Sequence, residues 1–294
     1  MAIFRNFFGA FMKLIFGVTA LTLSMFSVQV FASDKHAHAD AHSLEQQNLS
    51  LEKNTEGKGY GPQAPRDLAQ KSGMNKRVFN RAPDYKHMNL CNIHVHENAE
   101  HKGGDFTTFA GYGDGKGYGT GYKYAGKLTA AESVKMPEEV CKSDHGSLQV
   151  GDTIEIHYVH SSALVKPGPT LNACLSEADS NPQLRVEAQV FVLVNDAKAA
   201  DFNKLTAVGE ISGYQQALNI PANSGKPIQY AGSTTGPSYN EKGSPLQVTW
   251  SVRPKVIKVN AASVGEWCKG NPFNEDHAHG VRNLVTNPKL LSNM

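Results

Sequence analysis

Apolar and polar positions alternate with a period of two in several short stretches of this chain, whereas the 3.6-residue period of an amphipathic helix is scarce. In Asn92-Ile93-His94-Val95-His96 the alternation sets Asn92, His94 and His96 on one face of an expected strand. A second strand is expected within Gly151 to His160. There Glu155, His157 and Val159 share one face, while Ile154, Ile156, Tyr158 and His160 take the other. Arg185 to Val194 is almost continuously apolar, which suits a central strand covered on both faces. Leu246, Val248, Trp250 and Val252 alternate with polar residues, and Val256 to Val259 resumes the β pattern after Pro254. Thr129-Ala130-Ala131-Glu132 has capping-box spacing for one short helix. The predicted class is mainly β: a single large twisted, mostly antiparallel sheet with short helices at its margins.

The remaining stretches read as connections. Gly111 to Gly121 has glycine at every second position with tyrosines interleaved. No helical pattern follows it, so it is expected to be a surface loop and not a phosphate cradle. Prolines and glycines also punctuate Ile220 to Pro245. Tyr60 to Leu68, with Pro62 and Pro65, is expected to open the folded part on an extended path.

Composition changes the picture chiefly at the N-terminus. Residues 1–32 carry Arg5 and Lys13, no acid, and an apolar run from Leu14 to Phe31 that ends in Val30-Phe31-Ala32. This is the pattern of a secretory signal peptide. The run approaches spanning length, but Thr19, Thr22, Ser24, Ser27 and Gln29 interrupt it, which favours cleavage over a retained anchor. An exported chain, periplasmic or secreted, with no stable membrane span after cleavage is therefore expected. Residues 33–58 are polar and alanine-rich, with His36, His38 and His42, and are expected to form a flexible leader. The folded domain then covers residues 59–294.

Losing Arg5 and Lys13 takes Lys plus Arg from 29 to 27, level with the 27 Asp plus Glu. A neutral balance offers no electrostatic attraction for nucleic acid. Cys91, Cys141, Cys174 and Cys268 all lie in the exported part and form no C-x-x-C pair. Two disulfides are expected, with three connectivities open.

The candidate chemistry lies in Cys91 to Gly104, where His94, His96 and His101 stand close to Glu97 and Glu100. His94 and His96, roughly 7 Å apart along one strand face, are near enough to ligate one ion. A tetrahedral zinc site needs further ligands from another element, and His157 on the second strand supplies the third. Three imidazoles would leave the fourth corner to solvent. Asn92 and Glu155, each two residues before a ligand, are candidates to orient the rings through sheet neighbours.

The two histidine strands resemble the zinc-binding strands of alpha-class carbonic anhydrases. The stretch from Asn92 to Gly104 is more similar still to the delta class. In the same order along the chain, Gln63-Ala64-Pro65-Arg66-Asp67-Leu68 resembles an N-terminal alpha-class segment. Tyr230-Ala231-Gly232-Ser233-Thr234-Thr235-Gly236-Pro237 is similar to the alpha-class Tyr-Pro-Gly-Ser-Leu-Thr-Thr-Pro loop, and Val248-Thr249-Trp250 to the alpha-class Val-Thr-Trp strand.

The resemblance implies an alpha-carbonic-anhydrase-like fold and reversible hydration of carbon dioxide to bicarbonate and a proton, through zinc-bound hydroxide. It implies zinc on His94, His96 and His157 and a small-molecule substrate. It also implies that Thr235 orients the nucleophile by hydrogen bonding to Glu100; a one-residue gap would select Thr234 instead. Glu155, His101 and Tyr230 take the places of the network behind the ligands, and Val159 and Trp250 those of the apolar wall for carbon dioxide. The alpha-class proton-shuttle histidine has no clear match, and His87 corresponds by chain position alone.

Three other readings share some of these features. An exported copper/zinc superoxide dismutase also carries His-x-His before Glu-Asn, but its bridging histidine and Gly-Gly-His-x-Asp segment are not found here. A cupin-like protein matches His94, His96 and Glu100 but needs a second motif that is missing. A non-catalytic metal-binding module would leave Thr235, Glu100 and Trp250 without a joint role.

Overall fold

The computed structural model describes residues 39–233 and 241–293. In chain order its strands are β1 (Asn89–Glu97), β2 (Phe106–Tyr112), β3 (Thr120–Tyr124), β4 (Val140–Ser143), β5 (Gly146–Leu148), β6 (Thr153–Ser161), β7 (Leu184–Val194), β8 (Val208–Ile211), β9 (Tyr214–Ala217), β10 (Ile228–Gly232), β11 (Val248–Val252) and β12 (Ile257–Asn260). The helices are α1 (Ala41–Thr55), α2 (Phe202–Leu205) and α3 (Ala261–Cys268), with three 3-10 turns. Strand is thus the dominant element, as the alternating pattern predicts.

The main sheet runs β1-β6-β7-β11-β10, with β12 also paired to β7. Strand β7 is buried along its whole length because both its edges and both its faces are covered. One edge pairs antiparallel with β6. The other pairs in parallel with β11 over Leu184 to Ala188 and with β12 over Phe191 to Val194. Pro254 falls between β11 and β12, where the chain leaves one half of that edge and rejoins the other; a proline cannot donate to the ladder. Three pairings are antiparallel and two parallel, so the sheet is mixed. The hairpins β2-β3, β4-β5 and β8-β9 lie outside it.

The two faces of the sheet carry separate apolar clusters. Ile93, Val95, Ile154, Ile156 and Tyr158 join α2 and α3 residues such as Phe202 and Trp267 on one side. Val159, Val186, Ala188, Val190, Tyr230 and Trp250 form the other. A bulge between Leu90 and Asn92 shifts the phase of β1. Leu90 therefore joins the first cluster and Cys91 the second, although strict alternation would exchange them.

The structure joins Cys91 to Cys174 and Cys141 to Cys268, which selects one of the three connectivities. The first tethers β1 to a 3-10 turn at Leu171–Cys174, and the second ties β4 to the end of α3. Gly111 to Gly121 forms the end of β2, the turn and the start of β3, so it belongs to a hairpin. The capping hydrogen bonds of Thr129 and Glu132 are present, but they close only a turn.

Residues 41–55 differ from the flexible leader that their polarity predicts. Asp40 caps α1 with a capping box to Ser43. Leu51 is buried with Val285, Leu290 and Leu291 from the C-terminal segment. Glu52 accepts from Asn287 and Lys289. Of its leucines Leu44, Leu49 and Leu51 only the last is buried, so the helix shows little local signal; the partners of Leu51 lie more than 230 residues away. Residues 1–32, expected from the sequence to be a signal peptide, lie outside the described residues, as do His36 and His38. No described helix is long and apolar enough to cross a membrane.

Candidate metal centre

Antiparallel pairing of β1 with β6 sets His94 directly opposite His157 and His96 opposite Glu155. The period of two then sends His94, His96 and His157 to the same face. Their ring centroids lie 5.0 Å (His94 to His96), 5.0 Å (His94 to His157) and 4.6 Å (His96 to His157) apart. One ligand atom from each falls within 4.8 Å of the other two. His96 and His157 are buried and His94 half-buried, which leaves an approach for solvent on the His94 side.

The second nitrogen of every ring has a fixed partner. His94 Nδ1 donates to Asn92 Oδ1 at 2.7 Å, His96 Nδ1 to the Gly280 carbonyl at 3.0 Å, and His157 Nε2 to Glu155 Oε1 at 2.7 Å. These bonds leave His94 Nε2, His96 Nε2 and His157 Nδ1 with lone pairs toward the common centre. Asn92 and Glu155 reach their histidines directly along the same strand, not through sheet neighbours as the sequence reading expects.

This donor set fits a divalent zinc ion. Two nitrogens each 2.0–2.1 Å from a tetrahedral ion lie about 3.3–3.4 Å apart; His157 Nδ1 and His94 Nε2 are 3.2 Å apart. His96 Nε2 is a buried polar atom with no hydrogen-bond partner, an arrangement that a bound cation would satisfy. Burial, followed by the neighbouring imidazoles, holds His94 well below the usual histidine range. The same causes lower His96 to about 4, so both rings stay neutral and able to ligate.

A buried chain of hydrogen bonds stands behind His157. Glu155 Oε1 also accepts from His101 Nδ1 at 2.6 Å, Glu155 Oε2 accepts the His101 backbone N–H, and the Tyr230 hydroxyl donates to His101 Nε2 at 2.6 Å. Burial pushes the Glu155 carboxyl up, but its electrostatic interaction with the His101 ring and the hydrogen bonds from His101 and His157 outweigh it, leaving it well below the usual range. Trp250 lies 5.2 Å from both the His157 and His101 rings and stacks on Tyr230. Val159 is buried in the same apolar cluster.

Glu100 is buried, with Oε2 3.6 Å from His96 Nε2. Its Oε1 accepts from Arg66 Nε. Burial raises its pKa, but the Arg66 guanidinium, then His96 and His157, lower it further, to about 2. Thr234 and Thr235 lie outside the described residues; β10 ends at Gly232, and Ser233 Oγ donates to Gln63 Oε1 at 2.9 Å.

Three participants carry no signal in the pattern of the chain. The Gly280 carbonyl is 184 residues from the ring it orients. Arg66 sits in a segment whose residue pattern reads as extended and turn-rich and whose family resemblance assigns Arg66 no role. His279 pairs in backbone with β1, donating to the Val95 carbonyl, and its ring lies 6.3 Å from His94 and from His96. His279 also bonds Glu275 at 2.6 Å, which raises its pKa against the effect of burial. His87, singled out by chain position, instead lies in the turn before β1 with its ring against Tyr214.

Among solved structures, the chain is similar to an alpha-carbonic anhydrase from Photobacterium profundum. The two share 16% identity over 85% of this chain and 97% of that one, with a TM-score of 0.26. It is also similar to the alpha-carbonic anhydrase of Thermovibrio ammonificans in complex with the inhibitor sulfanilamide: 14% identity, 80% and 88% coverage, TM-score 0.27. A hyperthermostable carbonic anhydrase from a hydrothermal vent chimney gives 14% identity, 78% and 86% coverage, and a TM-score of 0.25. No curated protein matches the chain. The delta carbonic anhydrase family, in contrast, matches residues 85–263, which is more than half of the 294 residues and includes His94, His96, His157 and the strands that carry them. The chain belongs to the delta carbonic anhydrase family.

Proposed function

We propose that this carbonic anhydrase is an exported, zinc-dependent enzyme that interconverts carbon dioxide and bicarbonate through His94, His96 and His157. The observation that carries the proposal is the convergence of three lone-pair nitrogens whose opposite nitrogens are all engaged. Zinc held there supplies a Lewis acid that brings a water's pKa down to about 7, as in known carbonic anhydrases.

The protein's own groups account for the rest. Asn92, Glu155 and the Gly280 carbonyl fix ring orientation, and His101 with Tyr230 holds Glu155 in place. Carbon dioxide carries no charge, so the apolar surfaces of Val159 and Trp250 hold it weakly beside the open corner, which favours release of bicarbonate. By its place in the resemblance, Thr235 would orient the nucleophile by accepting a hydrogen bond from it and donating one to Glu100, an acceptor-only carboxylate when ionised. Two disulfides support an oxidising compartment, and with it cleavage of a signal after residue 32.

Stopped-flow hydration of carbon dioxide, combined with metal analysis of the purified chain, tests the reading. Activity should track zinc content, vanish on chelation and return with zinc. Thr235→Ala should keep its zinc and lose rate. A zinc-loaded chain that leaves carbon dioxide hydration at the uncatalysed rate would overturn the proposal.

A further inference from the structure

Beyond its hydrogen bond to Glu100, Arg66 has no part in the function proposed above, yet it is fully buried and holds left-handed backbone at φ 60°. An L-residue persists in that region only where its surroundings over-determine it. They do so here: the Arg66 carbonyl accepts from the Lys102 N–H at 2.7 Å, Leu68 N–H donates to the Lys102 carbonyl at 2.9 Å, and Arg66 Nη1 donates to the Ala64 carbonyl at 2.7 Å. Residues 66–68 are thereby clamped to residues 100–102, and Arg66 Nε takes Glu100 Oε1. The same segment braces the end of β10, through Gln63 on Ser233 and through Ala64, which packs so closely on Gly232 that a Cβ there would lie 3.0 Å from the Ala64 Cα.

The consequence concerns the other oxygen of Glu100. At 3.6 Å from His96 Nε2, Oε2 is nearly as close as two ligands of one tetrahedral ion, which lie about 3.3–3.4 Å apart. Yet Glu100 is outside the set whose ligand atoms converge within 4.8 Å. A carboxylate beside three imidazoles is itself a good zinc ligand, and a fourth protein ligand converts an open catalytic site into a closed structural one. We propose that Arg66 is a positioning residue that holds Glu100 back from the metal centre, keeping the fourth corner open and Glu100 available as a hydrogen-bond acceptor. The inference rests on His94, His96 and His157 as the zinc site.

Two readouts on the full chain test it. One is the zinc dissociation constant by chelator competition; the other is kcat and KM for carbon dioxide hydration. Arg66→Met frees Glu100 to ligate, so zinc should bind on the order of tenfold more tightly while kcat falls on the order of ten- to hundredfold. Arg66→Met combined with Glu100→Gln should return zinc affinity to the wild-type value, because an amide is a poor ligand. Arg66→Lys keeps the charge without the planar fork and should fall between. It also carries the test if the methionine variant does not fold. Weaker or unchanged zinc binding in the Arg66 variants would overturn the inference and leave the proposed function standing. A wild-type chain that binds zinc but is inactive would overturn the function, while the affinity series still decides the role of Arg66.

Discussion

His157 and Glu155, two residues apart on one face of β6, are joined by a 2.7 Å hydrogen bond from Nε2 to Oε1. That bond turns the ring so that Nδ1, not Nε2, points at the His94 nitrogen. Strand alternation alone puts the two side chains on one face; the carboxylate decides which nitrogen the ring presents.

Glu155→Gln either keeps one oxygen for the His157 and His101 rings and turns its NH2 against the His101 backbone N–H that Oε2 accepts, or flips and loses both ring hydrogen bonds. Zinc affinity should fall on the order of ten- to hundredfold, measured by chelator competition. Wild-type affinity in this variant would mean that the ring is oriented by packing against Trp250 instead.

His157→Ala removes one of three ligands and leaves Glu155 buried with one partner fewer. Most bound zinc and nearly all hydration activity should be lost, as read by metal analysis and stopped-flow assay. Full activity would remove His157 from the ligand set.

Gly280→Ala places a Cβ 2.7 Å from the Gly117 carbonyl carbon, so backbone must move. The Gly280 carbonyl is the partner of His96, and its displacement should weaken zinc binding while β1 and β6 stay paired. Zinc titration alongside circular dichroism separates the two effects.

His160 sits on the opposite face of β6 from His157 and is fully buried, with Nδ1 donating to the Tyr158 carbonyl. Burial, with the Arg185 charge adding to it, lowers its pKa to about 3. Between about pH 6.5 and 3 the unfolded chain therefore takes up a proton that the folded chain refuses, so this residue makes stability fall as pH falls. His160→Gln should flatten the urea-derived stability profile in that window by up to about 1.4 kcal/mol per pH unit. An unchanged slope would mean that the imidazole is protonated in the fold.

Replacing Cys91 and Cys174 together by alanine opens a tether across 83 residues. A loss of roughly 2–5 kcal/mol in stability is expected from urea unfolding. Since Cys91 is the extra residue of the β1 bulge, zinc affinity should fall with it if the bulge loosens.

Much of the sheet was legible because a half-buried strand writes its faces into every second residue. Asn92 to His96, Glu155 to Val159 and the apolar run of β7 needed no other information. The same rule identified three histidines able to share an ion. Residues 41–55 were misjudged because helix α1 is stabilised at one buried leucine by partners at the far end of the chain, and a local window contains none of them.

Sequence by itself determined which residues face which side of the main strands, the bulge at Cys91 excepted, and with them the ligand types and the family. Tertiary structure decided the rest: which cysteines pair, that Arg66 meets Glu100, that a glycine carbonyl from the C-terminal segment orients His96, and which nitrogen of each ring is free. The physical reason is reach. Side-chain direction is a property of neighbouring residues, whereas a hydrogen-bond partner or a disulfide partner is whatever the folded chain brings within 3 Å, and spacing along the chain does not encode it.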